Sequence, residues 1–377
     1  MLVSGGSAVA AAAAPAAPVR LNAADTERLG WSPHHLDGVF AYAASLGTDT
    51  LMIVTDGETV GAMGDLGRRY QVHSVRKALL SALVGLHVGS GDRQIPLDAT
   101  LAELGIDDRP NPLTPLQKQA TVLHLVKSVS GINHAAAAEG GLMKEKQVRL
   151  GTGENQPGTI WAYNNWDYNA LTTVFEQRTG LRIADAFLTG IAAPLSMRDF
   201  TPDAVSYTRA PELSQHSAAM FRMSGRDLAL FGALYLNQGS INGHKVLPAA
   251  WIARVSADPV ETGDDGLRSG HSYLWWIPSP ETGLPNGTFA AFGFGRQAVF
   301  VIPDWRTVIV HQADTTELTK RLFGTDDDGS TTTSRLVQMI LTCHTVAGEA
   351  SEFCRQHRFI GRREFNRLVT LIVNARR

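Results

Sequence analysis

"HSVRKALLSALVG", residues 73–85, places a serine and a lysine three positions apart at the start of an apolar run. From Val75 to Val88 apolar residues recur every three or four positions, which predicts a helix with Ser74 at its start. Residues three apart on a helix share a face, with Cβ atoms about 5–6 Å apart, so the Ser74 hydroxyl and the Lys77 amine can meet. The free N–H groups and dipole at a helix N-terminus favour negative charge, and an oxyanion forming at an acylated Ser74 would lie in that field. Nucleophile, base and part of an oxyanion hole then come from one turn. A free lysine has a pKa of about 10.4 and stays protonated at neutral pH, so burial and nearby positive charge must lower it. Arg76 is expected to point off the shared face. Taken alone, the four-residue pattern is also that of a capping serine followed by a surface lysine.

A second stretch adds to the first. In "PGTIWAYNNWDYNAL", residues 157–171, Tyr163 and Asn165 follow a Pro-Gly turn and precede a helix that ends at Gly180 after Arg178. A phenol beside an ammonium has its phenolate favoured, so Tyr163 can take a proton from serine and later pass it to a leaving group. Asn165 offers both a donor and an acceptor, suited to a substrate carbonyl or to orienting Lys77. In isolation this stretch also reads as a core tyrosine followed by a capping asparagine.

The chain around these motifs has 377 residues, 44% of them hydrophobic and 19% charged, enough for a large core. A net charge of −2 gives no basic field for nucleic acid. Only two cysteines occur, Cys343 and Cys354, so the fold does not rest on a disulfide framework; with His344 and His357 they match no zinc spacing, and no metal or other cofactor is expected. The Ala-rich residues 1–25 read as a leader or a disordered tail without a positive n-region, which leaves the compartment either cytoplasmic or exported. No other run approaches the length of a membrane span.

"SPHHLDGVFAYAASLG" (32–47) predicts a capped first helix, and "TLMIVTDGETVGAMGD" (50–65) a hairpin turning at Asp56-Gly57. Residues 96–265 read as mostly helical. After them "SYLWWIP", "TFAAFGFG", "QAVFVIPDW" and "TVIVHQA" (272–313) are short strands. Neither strand group buries both faces alone, so both must meet in one sheet with the helical block inserted between them. The tail 355–377 is Arg-rich with interspersed apolar residues: a terminal helix or disordered extension, or else a basic amphipathic helix for a membrane surface or partner.

"HSVRKALLSALVG", "TVLHLVKSVSGIN", "PGTIWAYNNWDYNAL", "FRMSGRDLALFGALYLNQG", "SINGHKVLPAAWI" and "SYLWWIP" occur in the order found in the serine β-lactamase and penicillin-binding-protein superfamily. The chain resembles most its class C-like branch, which includes esterases and 6-aminohexanoate-dimer hydrolases, over about residues 30–340. The resemblance implies an α/β (α+β) fold, an antiparallel sheet flanked by helices with an inserted, mainly helical domain. It implies Ser74 as acylated nucleophile, Lys77 as activator, Tyr163 as general acid/base and Asn165 as a positioning, substrate-binding group. The expected layout is a catalytic domain over 26–345, with its sheet part at about 32–95 and 266–345 and the insertion at about 96–265, followed by a basic extension at 346–377.

The third family motif, K-T-G or H-x-G on a cleft strand, is where this sequence departs. "AAFGFGRQAVFVIPDW" has the strand's setting, with Gly293 and Gly295 permitting close backbone approach, but Phe294 stands where relatives carry a polar residue. Phenylalanine cannot bind a carboxylate as lysine does, which disfavours classical β-lactam recognition. The second oxyanion N–H is expected from Gly295 to Gln297, and Arg296 is either an anion contact or a surface charge. Ser130 and Gly131 match a turn near the cleft, with Asn133 and His134 at its mouth. Trp275 and Trp276 alternate across a strand, so at most one faces the cleft. The expected activity is a serine hydrolase acting through an acyl-enzyme on a small-molecule carboxylic ester or amide. The alternatives are a non-hydrolytic penicillin-binding-like sensor, or a true β-lactamase or D,D-peptidase. The oligomeric state does not follow from the sequence.

Overall fold

The computed structural model describes residues 18–316, except 90, 140 and 141, together with 359–377. In chain order the helices are α1 Ala23–Arg28, α2 Pro33–Ser45, α3 Arg76–Leu86, α4 Val122–Lys127, α5 Leu142–Leu150, α6 Asn165–Thr179, α7 Ile183–Phe187, α8 Gly225–Leu236, α9 Ala249–Ala257 and α10 Arg362–Ala375. The strands are β1 Val19–Arg20, β2 Thr50–Thr55, β3 Glu58–Gly64, β4 Tyr70–Gln71, β5 Val205–Ala210, β6 Ser214–Met223, β7 Ser240–Ile241, β8 His244–Lys245, β9 Val260–Glu261, β10 Gly270–Ser272, β11 Trp275–Ile277, β12 Phe289–Gly293, β13 Gln297–Ile302 and β14 Thr307–Gln312.

Nine strands form one antiparallel sheet in the order β1-β3-β2-β14-β13-β12-β11-β10-β9. The early hairpin joins the late strands through β2 and β14, in register from Thr50↔Gln312 to Thr55↔Thr307. Its turn places Asp56 at φ 50° and Gly57 at φ 81°, the two left-handed residues that a tight hairpin needs. The sheet is covered on both faces, so its central strands β13 and β14 are buried at every residue. On one face α8 packs Gly232 against Val308 and Val299, and Phe231 and Tyr235 against Trp275. On the other face lie α2 and α10, with Phe365 against Phe300 and His311.

The tail helix α10 is part of this fold. Phe365, Leu368, Val369, Ile372 and Ala375 turn inward against α2 and the sheet while the arginines face out. Its apolar face is therefore spent on the protein itself, not on a membrane surface. Cys343, His344, Cys354 and His357 and the first 17 residues lie outside the described residues.

Two expectations need correction. The helix after Ser74 begins at Arg76, because His73–Val75 form a tight 3₁₀ turn first, and it ends at Leu86 rather than Val88. The segment 96–265 is not helical throughout: β5 and β6 form a hairpin within it, extended by β4 into a three-stranded sheet. Serines, glutamine and histidine obscure the strand period of β6, whose buried residues include Ser214, His216, Ala218 and Phe221. Among the described residues no helix is long and apolar enough to cross a membrane.

Candidate active site

Ser74 sits in the turn that delivers the chain into α3, and this turn is held in an unusual conformation. His73 adopts φ 47°, in the left-handed region that non-glycine residues rarely enter, and its Nε2 shares a 2.7 Å hydrogen bond with Thr315 Oγ1. Ser74 remains partly exposed while its neighbours His73 and Val75 are buried. One helical turn on, Lys77 Nζ lies 2.7 Å from Ser74 Oγ.

Lys77 is buried, with its amine over the rings of Tyr163 at 4.6 Å and Tyr168 at 4.8 Å. Two ring faces favour an ammonium by about 0.5–2 kcal/mol each. Loss of hydration is the stronger effect: burial first, then the charges of Arg76 and Arg268, drive the amine's pKa well below the ordinary lysine value, with Glu139 opposing. A neutral amine at hydrogen-bonding distance from a hydroxyl can accept its proton.

Arg76 corrects the sequence reading. It is buried, donates to Asn169 Oδ1 at 3.2 Å, and after burial its charge is the largest influence lowering Lys77. The side chain is tied to α6 through Asn169, so it bears on the site although it points off the shared face.

Tyr163 enters from the segment preceding α6. Asn164 fixes that entry by capping Trp166 N at 3.1 Å and donating to Ile132 O at 2.6 Å. Burial pushes the Tyr163 phenol up to about 12, against the Ser74 hydroxyl, Arg268 and Arg76, which pull it down. The sequence reading favoured a phenolate; the site instead keeps this group protonated at rest, fit to donate. Trp276 stacks on Tyr163 with centroids 5.2 Å apart, while Trp275 packs under α8, as the alternation along β11 requires. Asn165 donates to Ala138 O at 2.8 Å, and its buried Oδ1 has no partner among the described residues.

The facing wall is the β12–β13 hairpin. A Cβ on Gly293 would lie 2.3 Å from Val72 O and 3.2 Å from Ser74 N, so only glycine lets this strand approach the nucleophile's backbone so closely. Gly295 (φ 72°) and Arg296 (φ 65°) make the turn. Arg296 is buried and donates from Nε to Ile360 O at 3.0 Å, so it is no surface charge; Gln297 is buried and donates to Ala313 O. Both side chains secure the turn. Phe294 contacts His73 and Phe359.

His134 belongs to a different cluster: its Nδ1 is 3.3 Å from Asp108 Oδ2 and its ring lies edge-on to Trp166. Ser130 donates to Asp167 Oδ1 at 2.6 Å, a structural commitment. The loop before β10 supplies Arg268, which the sequence reading did not single out because no motif or periodicity marks it. Its guanidinium lies 4.9 Å from the Trp276 ring.

A family model for beta-lactamase matches residues 36–327. Among solved structures, a Bacillus anthracis protein assigned as a 6-aminohexanoate-dimer hydrolase aligns with a TM-score of 0.53 at 19% identity, over 80% of each chain. An octameric penicillin-binding protein homologue from Pyrococcus abyssi gives 0.55 at 16%, over 82% of this chain and 76% of that one. A beta-lactamase from Mycobacterium bovis gives 0.51 at 19%, over 74% and 90%. An uncharacterized protein of Alkalihalophilus pseudofirmus is 22% identical over 264 residues, 64% of this chain and 72% of its own length.

Proposed function

This chain belongs to the beta-lactamase family, and from that premise we propose that it is a serine hydrolase cleaving a carboxylic ester or amide through an acyl-enzyme. The observation that carries the reading is the 2.7 Å contact between Ser74 Oγ and a buried Lys77 amine held toward its neutral form. Lys77 accepts the Ser74 proton as Oγ attacks the carbonyl carbon. The resulting oxyanion lies against the Ser74 backbone N–H and a second N–H from Gly295 to Gln297, on the wall that Gly293 brings close. Tyr163, protonated at rest, donates to the departing oxygen or nitrogen, and the acyl group stays on Ser74. Water then adds to the ester carbonyl and passes a proton to the deprotonated Tyr163; the acyl carbon–Oγ bond breaks, Lys77 returns its proton to Ser74 Oγ, and the acid leaves.

Phe294 favours esters and amides over substrates that need a cation at that strand position. The test is hydrolysis of p-nitrophenyl acetate and butanoate, with nitrocefin in parallel, by the native protein and Ser74→Ala. Ester turnover that disappears in Ser74→Ala is expected. A stable Ser74 adduct without turnover would instead mark a binding module.

A further inference from the structure

Lys146, on α5, is fully buried, and the chemistry described above makes no use of it. An ammonium is tolerated out of water only where its N–H groups find acceptors. The Lys146 Nζ carries three N–H groups and meets three acceptors: Glu139 Oε1 at 2.6 Å, Asn164 Oδ1 at 3.3 Å and the carbonyl of His134. Burial pushes the nearby Asp167 carboxyl well above its ordinary value, which leaves Glu139 as the anion of the pair. An apolar side chain of similar volume is often as stable in such a place, so what the lysine adds is direction: each N–H fixes one acceptor.

Those acceptors belong to the segments that carry Tyr163. Asn164 follows Tyr163 directly, and the oxygen that accepts from Lys146 also caps Trp166 N at 3.1 Å. Its Nδ2 donates to Ile132 O at 2.6 Å and Asp167 Oδ1 at 3.1 Å. Glu139 closes the other side. Its Oε2 accepts from Ala136 N at 2.7 Å, and between these two residues the carbonyls of Ala137 and Ala138 accept from Asn169 at 3.0 Å and Asn165 at 2.8 Å. Ala138 is held at φ 59°, a left-handed conformation that alanine adopts only under restraint. The Tyr163 hydroxyl has only Ser74 as a side-chain hydrogen-bond partner among the described residues. Its direction therefore follows from its ring contacts and from the backbone entering α6.

We propose that Lys146 is a positioning residue of this hydrolase: by fixing Asn164 and, through Glu139, the 136–139 loop tied to α6, it sets the place of the Tyr163 phenol against Ser74. The proposal rests on the hydrolase reading above and deepens it with a residue that never touches the reacting atoms.

Lys146→Met keeps the volume and removes the donors, but leaves Glu139 buried and unpaired. Lys146→Met/Glu139→Gln removes both charges and should regain the stability lost. With p-nitrophenyl butanoate, both variants should lose about 10–100-fold in kcat with little change in KM, the scale of a small misplacement at the reacting centre. The same substitutions in Tyr163→Phe, where no phenol is left to place, should cost no more than about threefold. Residues that act as a unit give such non-additive losses, whereas a smaller folded fraction lowers the rate by one factor in either background. Equal losses with and without the phenol would overturn the proposal, as would native kcat in Lys146→Met/Glu139→Gln. If no ester is hydrolysed, or if Ser74→Ala retains the activity, the hydrolase reading falls and this inference with it. Ser74-dependent hydrolysis with additive losses removes the inference alone.

Discussion

Burial, Arg76 and Arg268 push the Lys77 amine toward its neutral form, and Glu139 pulls it back. The protonated form is the inactive one in the proposed chemistry, so kcat/KM should rise with pH as Lys77 loses its proton, well below the range of an ordinary lysine. Tyr163 acts in its protonated form and is pushed up to about 12, so no alkaline fall is expected until that region is approached. A pH profile with an ester substrate checks both signs. Tyr163→Phe should lower kcat by about 10²–10⁴-fold with little change in KM, the usual cost of losing a positioned proton donor.

At the scale of elements, the site depends on two close approaches. Gly293→Ala would set a methyl against Val72 O and Ser74 N, displacing the β12–β13 wall, and should reduce kcat far more than it lowers thermal stability. Gly85 plays a structural counterpart in α3: a Cβ there would meet the Trp251 ring at 2.5 Å, so Gly85→Ala should cost about 1–3 kcal/mol in urea unfolding. The elements that hold Ser74, Lys77 and Tyr163 were legible because each signal was local: three-residue spacing, an apolar period, a Pro-Gly turn before a helix. The Asp56-Gly57 hairpin was legible for the same reason. Arg76 was misread because helical spacing alone assigns it to another face, and that face turned out to be buried under α6. Arg268 was invisible since a Gly- and Asp-rich loop has no period, and only the fold brings it over Trp276. The β5–β6 hairpin was missed because its inward residues include Ser214 and His216, whose polarity is satisfied by Asp108 and Thr173, far away in sequence.

For the molecule as a whole, the two ends of the described chain close on each other. Ser32 N donates to Ala375 O at 2.8 Å, and Trp31 bridges Arg376 in antiparallel fashion. The sheet therefore needs both ends of the chain before its face is covered, and α10 supplies the last layer. Phe365 lies among Phe292, Phe300 and His311, so Phe365→Ala should cost roughly 3–5 kcal/mol, read by chemical unfolding. The same helix leads back through Ile360, which accepts from Arg296, to the turn facing Ser74. Loosening α10 should thus lower activity as well as stability, a coupling that activity and unfolding measurements on Phe365→Ala would register together.

The most direct measurement is intact-mass analysis of the protein during turnover of p-nitrophenyl butanoate, followed by peptide mapping. The account predicts a transient butanoyl adduct on Ser74 that forms and decays in the native protein and is absent from Ser74→Ala. Hydrolysis with no adduct, or an adduct on any other residue, would contradict it.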